Sequence, residues 1–195
     1  MDLAYLVSAT PDLLQGLAVT IEATLFGFAI ASVVGLLIAL PRLLHIPILS
    51  QVLGLYILFV RNTPLLVQLY FLYYVLPVYG IVLDALVVGL VGLGVQFSGY
   101  TAEVYRAGLE NVPRGQWEAA RAVNLSTVQT LALVVIPQAF RPIVPPLGNY
   151  LISMFKDSSV LATVTVLELY GTANSLAATS FQYTTATVGP AGTVT

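Results

Sequence analysis

Charged positions divide the chain into long apolar runs. Residues 23–41, 64–78 and 85–101 contain no charged side chain, and a fourth apolar run lies between 131 and 152. A membrane span needs about 20 mostly apolar residues. The pattern therefore predicts four transmembrane helices, the first of them beginning near Gly16.

The third and fourth runs have features of their own. Glycines recur through the third run, which predicts close packing against other helices. The fourth run is expected to be a broken helix, and membrane proteins tolerate such a break where the backbone is buried in protein or lines a wet cavity. The prolines that suggest the break are Pro137, Pro142, Pro145 and Pro146. The short segment 51–60 either lies along the interface or leads into the second span.

Composition supports membrane insertion. Only 8% of the residues are charged and 58% are hydrophobic, whereas soluble domains carry about 25% charged residues. The net charge of −2 gives no case for nucleic acid, and the absence of cysteine excludes disulfides and thiolate metal sites. His45 has no second ligand at metal spacing, so no metal site is expected. The first apolar run has no basic residue ahead of it, so a cleavable signal peptide is not expected.

Basic residues indicate the orientation. With four spans, the connection between spans one and two and the connection between spans three and four lie on the same side. These connections hold six of the seven basic residues, namely Arg42, Arg61, Arg106, Arg114, Arg121 and Arg141. Cytoplasmic loops are enriched in such residues. The segment 103–130 is therefore predicted to be cytoplasmic and the N-terminus to be outside.

The most polar stretch contains a small-residue helix motif. Glu118 is followed by Ala119 and Ala120, whose short side chains would let a partner's groove close over the backbone. Asn124 comes six positions after Glu118 and tolerates the left-handed conformation that ends a helix. Ser126 can then cap a second helix. The spacing alone also fits a solvated helix–turn–helix that has no partner.

This motif, completed by Ile136 and Pro137, resembles the cytoplasmic EAA loop of ABC importer permeases. Asn124 stands where that family usually has glycine. Residues 102–159 are similar throughout to the polar-amino-acid branch of the family, and so is the stretch VRNTPLLVQL at 60–69, where Asn62 replaces a usual glycine. The resemblance covers about residues 12 to 170.

The resemblance implies an all-α, polytopic helix bundle of about four to five spans in the prokaryotic inner membrane. It also implies a second permease subunit, identical or different, together with a pair of ATPase subunits and an extracytoplasmic binding protein that delivers an amino acid. The chain would bind no cofactor and would not be an enzyme, because ATP is used by the partner. No phosphate-binding GxxxxGK[ST] loop is present. The implied coupling residues are Glu118, Ala119, Ala120, Asn124, Ile136 and Pro137.

Polar residues beside the apolar runs are candidates for a translocation path, namely Arg61, Gln68, Lys156 and Asp157. Ionisable residues at membrane depth usually face the protein interior or a wet path. Arg61 and Gln68 are seven residues apart and are expected to share a helix face. The alternative is that the two cations extend to the interface and that Gln68 only bonds a neighbouring helix. Asp157 is too short to reach far, so it is the preferred candidate for contact with substrate or a gate.

The domain prediction is one permease domain over 1–170, with its coupling loop at about 103–137. The segment 171–195 has no charge, is rich in small polar residues and is expected to be loosely structured. Compared with that branch, this tail is expected to be truncated, frameshifted or divergent. The alternatives to an ATP-driven permease are therefore an inactive truncated permease, a channel that is not driven by ATP, and an intramembrane enzyme.

Overall fold

The computed structural model describes residues 3–180, and the ordered elements in that range are helical, with no strand. The all-α prediction is confirmed for this part of the chain. The α-helices are α1 (Leu3–Leu43), α2 (Leu49–Asn62), α3 (Leu65–Tyr70), α4 (Ala85–Glu110), α5 (Arg114–Ala122), α6 (Thr127–Thr130), α7 (Ile136–Asp157) and α8 (Leu169–Ser180). Turns of other helix types extend them, π-helical at Phe71–Val75 and Leu131–Val135 and 3-10 at Leu76–Tyr79 and Ser158–Val164.

Within residues 3–180, three helical stretches are long and apolar enough to cross a membrane, namely Ala9–Leu43, Ala85–Glu110 and Thr127–Val164. A fourth span is reached only if α2 and Leu65–Tyr79 count together as one bent span. The predicted number of spans agrees with this upper count. The second predicted run is too short to cross by itself, and α2 leads into it.

The predicted break in the fourth span is wrong. α7 is one continuous α-helix that contains Pro142, Pro145 and Pro146. Each proline removes one N–H donor and crowds the carbonyl four residues earlier, but the helical bonds on either side keep the helix continuous. The irregular turn lies before Pro137 instead, as the π-helical segment Leu131–Val135. A π turn is a common way to accommodate such a local misfit.

The chain divides into two compact units. Unit 1 comprises Met1–Gly27, Leu65–Leu93 and Met154–Thr195, and unit 2 comprises Phe28–Pro64 and Gly94–Ser153. The interpretation of 1–170 as one permease domain with a separate tail stays a prediction.

In unit 2 a buried apolar cluster joins α4 to the start of α7. Its members are Leu109, Val112, Val135, Ala139 and Ile143. Gly108 permits this close packing, because a Cβ atom there would lie 2.2 Å from the Ile143 Cγ1 atom. A neighbouring cluster of Ile38, Ile57 and Ala102 joins α1, α2 and α4.

Unit 1 depends on close helix approaches of the same kind. A Cβ atom at Gly92 would lie 2.5 Å from the Leu69 Cδ2 atom, so α3 packs directly on the backbone of α4. The predicted close packing of the third run is therefore confirmed. A Cβ atom at Gly16 would lie 2.7 Å from the Thr172 Oγ1 atom, which brings α8 equally close to α1.

The expectation of loose structure from Gly171 onward is wrong as far as Ser180, because α8 is helical there. The rest of that predicted tail, 181–195, lies outside the described residues. A buried side chain at residue 168 explains why the polar run is helical, as described below.

Candidate functional site

Helix α5 carries the first half of the predicted coupling motif and is held to unit 2 by one face. Trp117 is half-buried and packs against the apolar cluster, and Ala120 is only 4% exposed. Glu118 and Ala119 point away from that cluster and are exposed. The helix therefore presents a carboxylate beside a small side chain on its open face.

The end of α5 has the geometry predicted for Asn124. This residue is left-handed, with φ at 59°. The N–H of Asn124 donates to the Arg121 carbonyl at 2.9 Å, and the N–H of Leu125 donates to the Ala120 carbonyl at 3.1 Å. These two bonds form a Schellman motif, which satisfies carbonyls that a helix end would otherwise leave open.

A capping box begins α6, as predicted for Ser126. The Ser126 Oγ atom accepts from the Gln129 N–H at 3.3 Å, and the Gln129 Oε1 atom accepts from the Ser126 N–H at 2.9 Å. α5 and α6 are thus separated by a short turn with defined hydrogen bonds at both sides.

The second half of the motif lies at the start of α7. Ile136 and Pro137 are both exposed there. The Gln138 Nε2 atom donates to the Gln116 Oε1 atom at 3.2 Å, so the start of α7 is tied directly to α5. The structure therefore brings the two halves of the motif, which begin at Glu118 and at Ile136, into one region of unit 2.

Arg61 ends α2 and lies across α4. Its guanidinium is 4.9 Å from the centroid of the Tyr100 ring. Gly99 leaves room for it, because a Cβ atom there would lie 3.1 Å from the Arg61 Cγ atom. Gln68 is half-buried on α3. The expectation that Arg61 and Gln68 share a helix face is wrong, since the helix is interrupted at Thr63 and Pro64 and helical periodicity does not carry across a break.

Lys156 and Asp157 end α7 in unit 1, and both are exposed in this single chain. The helix continues from them directly into the 3-10 turn that begins at Ser158. They are adjacent in sequence and in space, whereas Arg61 belongs to unit 2.

Four charged side chains form a network in unit 2. Arg42 pairs with Glu103, which also pairs with Arg106 at 2.7 Å, and Arg106 reaches Glu110 at 2.7 Å. Glu103 and Arg106, three residues apart on α4, thus form a local pair. The network joins the end of α1 to α4, and its charges balance.

Glu168 is a buried carboxylate that the sequence analysis missed. It is 1% exposed and immediately precedes α8. Its Oε1 atom accepts from the Gly171 N–H at 2.7 Å, and its Oε2 atom accepts from the Tyr170 N–H at 2.9 Å. The Thr20 Oγ1 atom of α1 accepts from the Leu169 N–H at 3.0 Å.

These contacts give acceptors to the N–H groups of Leu169, Tyr170 and Gly171. The next N–H, that of Thr172, makes the first intrahelical bond, to the Glu168 carbonyl at 2.8 Å. The helix dipole adds to the stabilisation of a carboxylate at this end. A signal was available, because Glu168 is the only charged residue after Asp157 and an isolated charge in an apolar run usually has a specific role.

Comparison with known proteins gives consistent matches. The family model described as "Binding-protein-dependent transport system inner membrane component" matches residues 31–194. A probable amino-acid ABC transporter permease protein of Sinorhizobium fredii is 42% identical, over 93% of this chain and 79% of that protein. An L-cystine transport system permease protein of Bacillus subtilis is 35% identical, over 86% of this chain and 72% of that protein.

A solved structure shows the same fold. The crystal structure of an amino acid ABC transporter with histidines contains a chain that superposes with a TM-score of 0.85. That chain is 34% identical, and the match covers 94% of this chain and 86% of the other.

Proposed function

Since the chain belongs to the inner-membrane components of binding-protein-dependent transport systems, we propose that it forms the substrate path of an ATP-driven amino-acid importer. In this proposal the path works by alternating access. A separate ATPase supplies the energy, and the chain itself is not an enzyme and binds no cofactor. The amino-acid substrate is inferred from the names of the relatives.

One observation carries the proposal, namely the open face of α5. Glu118 and Ala119 are exposed while Trp117 and Ala120 hold the other face to the apolar cluster. A partner that grips this face moves a helix already packed on α4 and α7. A contact of this kind can shift a conformational equilibrium only if it differs between two states of the partner. An ATPase whose groove opens and closes with nucleotide meets that condition.

The coupling surface is proposed to include the turn after α5 and the start of α7. Asn124 fixes the direction in which the chain leaves α5, and the Gln116–Gln138 bond ties α5 to α7 beside Ile136 and Pro137. A displacement of α5 would therefore reach a membrane-crossing helix through one hydrogen bond and one packed cluster.

The path is proposed to run along polar residues whose side chains would find no hydrogen-bond partner in lipid. Asn149 and Ser153 are exposed one turn apart on α7, and Lys156 and Asp157 follow in its last turn. Polar groups at membrane depth usually face protein or a wet cavity. A second permease subunit and water between the two subunits would supply both. Arg61 and Gln68 stay candidates for the same path.

The remaining partners and the orientation follow the same proposal. The region of α5 and α6 faces the cytoplasm and the ATPase subunits, and the N-terminus lies outside. An extracytoplasmic binding protein delivers the amino acid on that outer side. The basic residues that support this orientation flank α2 and occupy α5 and its neighbours.

Capture of the ATPase tests the coupling proposal. Tagged wild-type chain is solubilised from membranes of its own host, and the proteins retained with it are identified by mass spectrometry. Glu118→Lys is expected to reduce ATPase capture and amino-acid uptake by about tenfold or more, because reversing a buried interface charge costs several kcal/mol. The amount of Glu118→Lys protein in the membrane should equal that of wild type.

Two controls make the result specific. Glu118→Gln keeps the side-chain shape and should lose less ATPase capture and uptake than Glu118→Lys does. Asp12→Asn removes an exposed acid from unit 1 and should change neither capture nor uptake. Normal capture and uptake by Glu118→Lys would contradict the coupling role. A channel without ATP coupling predicts that deletion of α5 leaves ion conductance intact.

Asp157→Asn tests the path separately. The carboxylate is expected to contact substrate or gate, so its neutral isostere should lower uptake several-fold while ATPase capture stays normal. Initial uptake rates over a range of concentrations, measured for each of several amino acids, separate an effect on KM from one on kcat. Unchanged kinetics for all of them would remove Asp157 from the path.

A further inference from the structure

A strained residue lies in the turn between α7 and α8. Thr165 follows the 3-10 segment Ser158–Val164 with φ at 66° and ψ at 13°, in the left-handed region. A β-branched residue is a genuine outlier there. The N–H of Thr165 donates to the Ala162 carbonyl at 3.2 Å, and the next N–H, of Val166, donates to the Leu161 carbonyl at 3.3 Å. Glycine would form these two bonds without strain, so the presence of a threonine needs a separate reason.

The Thr165 side chain has a tyrosine partner on another segment of unit 1. The hydroxyl groups of Thr165 and Tyr73 share a hydrogen bond of 3.0 Å. The neighbouring Tyr74 hydroxyl donates to the Thr163 carbonyl at 3.4 Å. Both tyrosines belong to the π-helical turn Phe71–Val75, and their rings pack edge to face with centroids 4.9 Å apart. Two adjacent hydroxyls therefore hold the turn, and one of them bonds the strained residue itself.

Burial fixes the residues on either side of Thr165. Val164 is 0% exposed and Val166 is 5% exposed, whereas Thr165 between them is exposed. Leu161 is also fully buried and packs on the backbone of α4, because a Cβ atom at Gly89 would lie 3.1 Å from the Leu161 Cδ1 atom. A change of backbone conformation at Thr165 would therefore move a buried valine toward the surface.

The same turn connects a cavity to the start of α8. The cavity has a volume of about 480 Å³ and is lined by residues 165–167, the start of α4 and positions on α1 and α8. Glu168, three residues after Thr165, caps α8. A rotation of the backbone at Thr165 would change the direction of residues 166–168, and with it both the cavity wall and the position of the cap.

We propose that the hydrogen bond between Tyr73 and Thr165 is a conformational latch. While the bond is formed, it holds Thr165 in the left-handed conformation and keeps the turn closed. When the bond breaks, Thr165 leaves that conformation, Val166 becomes exposed and the cavity wall moves. Strained residues persist only where their surroundings hold them, and they are common in switch regions.

The latch rests on the function proposed above, because alternating access requires a change of conformation at each end of the bundle. In the orientation proposed there, the turn follows the outer end of α7. The strain makes the closed turn less stable than it would be with glycine, so that breaking one hydrogen bond is enough to open it.

Thiol labelling of Val166→Cys tests the latch, in the purified complex of permease and ATPase. The chain has no cysteine of its own, so maleimide label on its gel band reports the introduced thiol alone. Without nucleotide, the buried thiol should react slowly. Adding Tyr73→Phe, which removes only the hydroxyl, should raise the labelling rate by about fivefold, as loss of one hydrogen bond predicts. Tyr79→Phe, which alters an exposed tyrosine six residues further on, should leave the rate unchanged.

Three replacements of Thr165, each made together with Val166→Cys, separate the hydroxyl from the strain. Thr165→Val keeps the branched side chain without the hydroxyl and should label as fast as Tyr73→Phe does. Thr165→Ser keeps the hydroxyl and should stay protected. Thr165→Gly removes the strain and should be protected as well as the parent, and adding Tyr73→Phe to it should change nothing. Fast labelling of the glycine variant would show that strain has no part in the latch and would overturn the proposal.

The latch must also open during the transport cycle. Labelling of Val166→Cys should differ several-fold between the nucleotide-free complex and the complex trapped with Mg-ATP and orthovanadate. Size-exclusion profiles show whether each variant complex is intact, and Val164→Cys replaces Val166→Cys if the latter does not assemble. Equal labelling in the two states, or equal labelling with and without Tyr73→Phe, would overturn the proposal.

ATP-dependent amino-acid uptake into proteoliposomes is measured in parallel, so that the two proposals can fail separately. A complex that transports while the turn stays closed in both states defeats only the latch. A turn that opens with nucleotide and depends on Tyr73, in a complex that transports no amino acid, defeats only the proposed transport function.

Discussion

The end of α5 and the start of α8 solve the same problem in opposite ways. Both are helix termini, where backbone groups lack partners inside the helix. At the end of α5 the chain satisfies them with its own backbone, through the left-handed Asn124. At the start of α8 it uses two buried side chains, Glu168 and Thr20, which come from different helices.

The difference shows which terminus is available to a partner. A backbone cap leaves the side chains of α5 free, so Glu118 and Ala119 stay exposed. A side-chain cap uses its polar groups inside the protein. The Glu168 carboxylate is therefore buried and not accessible to a partner, and it fixes α8 against α1. We therefore propose that α5 contacts other proteins and that the cap of α8 serves structural stability.

The largest expected effect is at α8. Glu168→Ala leaves the Tyr170 and Gly171 N–H groups without acceptors, at a cost of about 1–3 kcal/mol for each unsatisfied buried group. Thermal unfolding followed by fluorescence-detected size exclusion should show a midpoint lower by about 10 °C, or no folded protein. Glu168→Gln keeps one acceptor oxygen, so its unfolding midpoint should lie between those of Glu168→Ala and wild type. Glu22 is an exposed acid on α1, and Glu22→Ala should unfold at the wild-type midpoint. If Glu168→Ala unfolds at the wild-type midpoint, the start of α8 does not stabilise the fold and the proposed difference between the two helix termini is wrong.

A smaller effect is expected at the end of α5. Asn124→Val places a β-branched residue in the left-handed region, at a cost of about 1–2 kcal/mol. The last turn of α5 should open, which limited proteolysis between α5 and α6 would detect. ATPase capture should fall, and the unfolding midpoint should drop by about 2–8 °C. Asn124→Gly suits the same conformation and is the matched control. If valine and glycine variants behave alike, the left-handed cap does not position the coupling surface.

The smallest effect is expected at the start of α6. Ser126→Ala removes the hydroxyl of the capping box, which is worth about 1 kcal/mol. The unfolding midpoint should drop by only about 2–4 °C, and Ser126→Asp, which can still accept from the Gln129 N–H, should restore it. A drop as large as that of Glu168→Ala would show that the loop is as essential to the fold as the buried cap.

Local signals in the sequence predicted the turn between α5 and α6 well. The turn at Asn124 and the cap at Ser126 depend on backbone preferences of single residues, and both appear as expected. The prolines of α7 led to the wrong prediction of a broken helix. Proline is a strong local signal for a break, but a long helix can remain continuous despite its cost. The prediction that Arg61 and Gln68 share a helix face was wrong because it assumed one uninterrupted helix.

The cap of α8 and the contact between the Tyr100 and Tyr150 rings could not be predicted from local pattern. Glu168 meets Thr20 across 148 residues of sequence, and Tyr100 meets Tyr150 across a helix pair. Such contacts depend on which helices pack together, and the apolar pattern does not determine this. The isolated charge at 168 marked the position as unusual but could not identify its partner.

The close approach at Gly16 has a consequence for how related chains can vary. A side chain at this position would collide with Thr172, and the same approach brings Thr20 to the Leu169 N–H. A relative with a larger residue at position 16 must therefore carry a smaller one at position 172. Otherwise α8 must move away from α1, and the Leu169 N–H loses its bond to the Thr20 Oγ1 atom. Positions 16, 20 and 172 should consequently change together among relatives, and each position restricts the other two more than its own exposure would suggest.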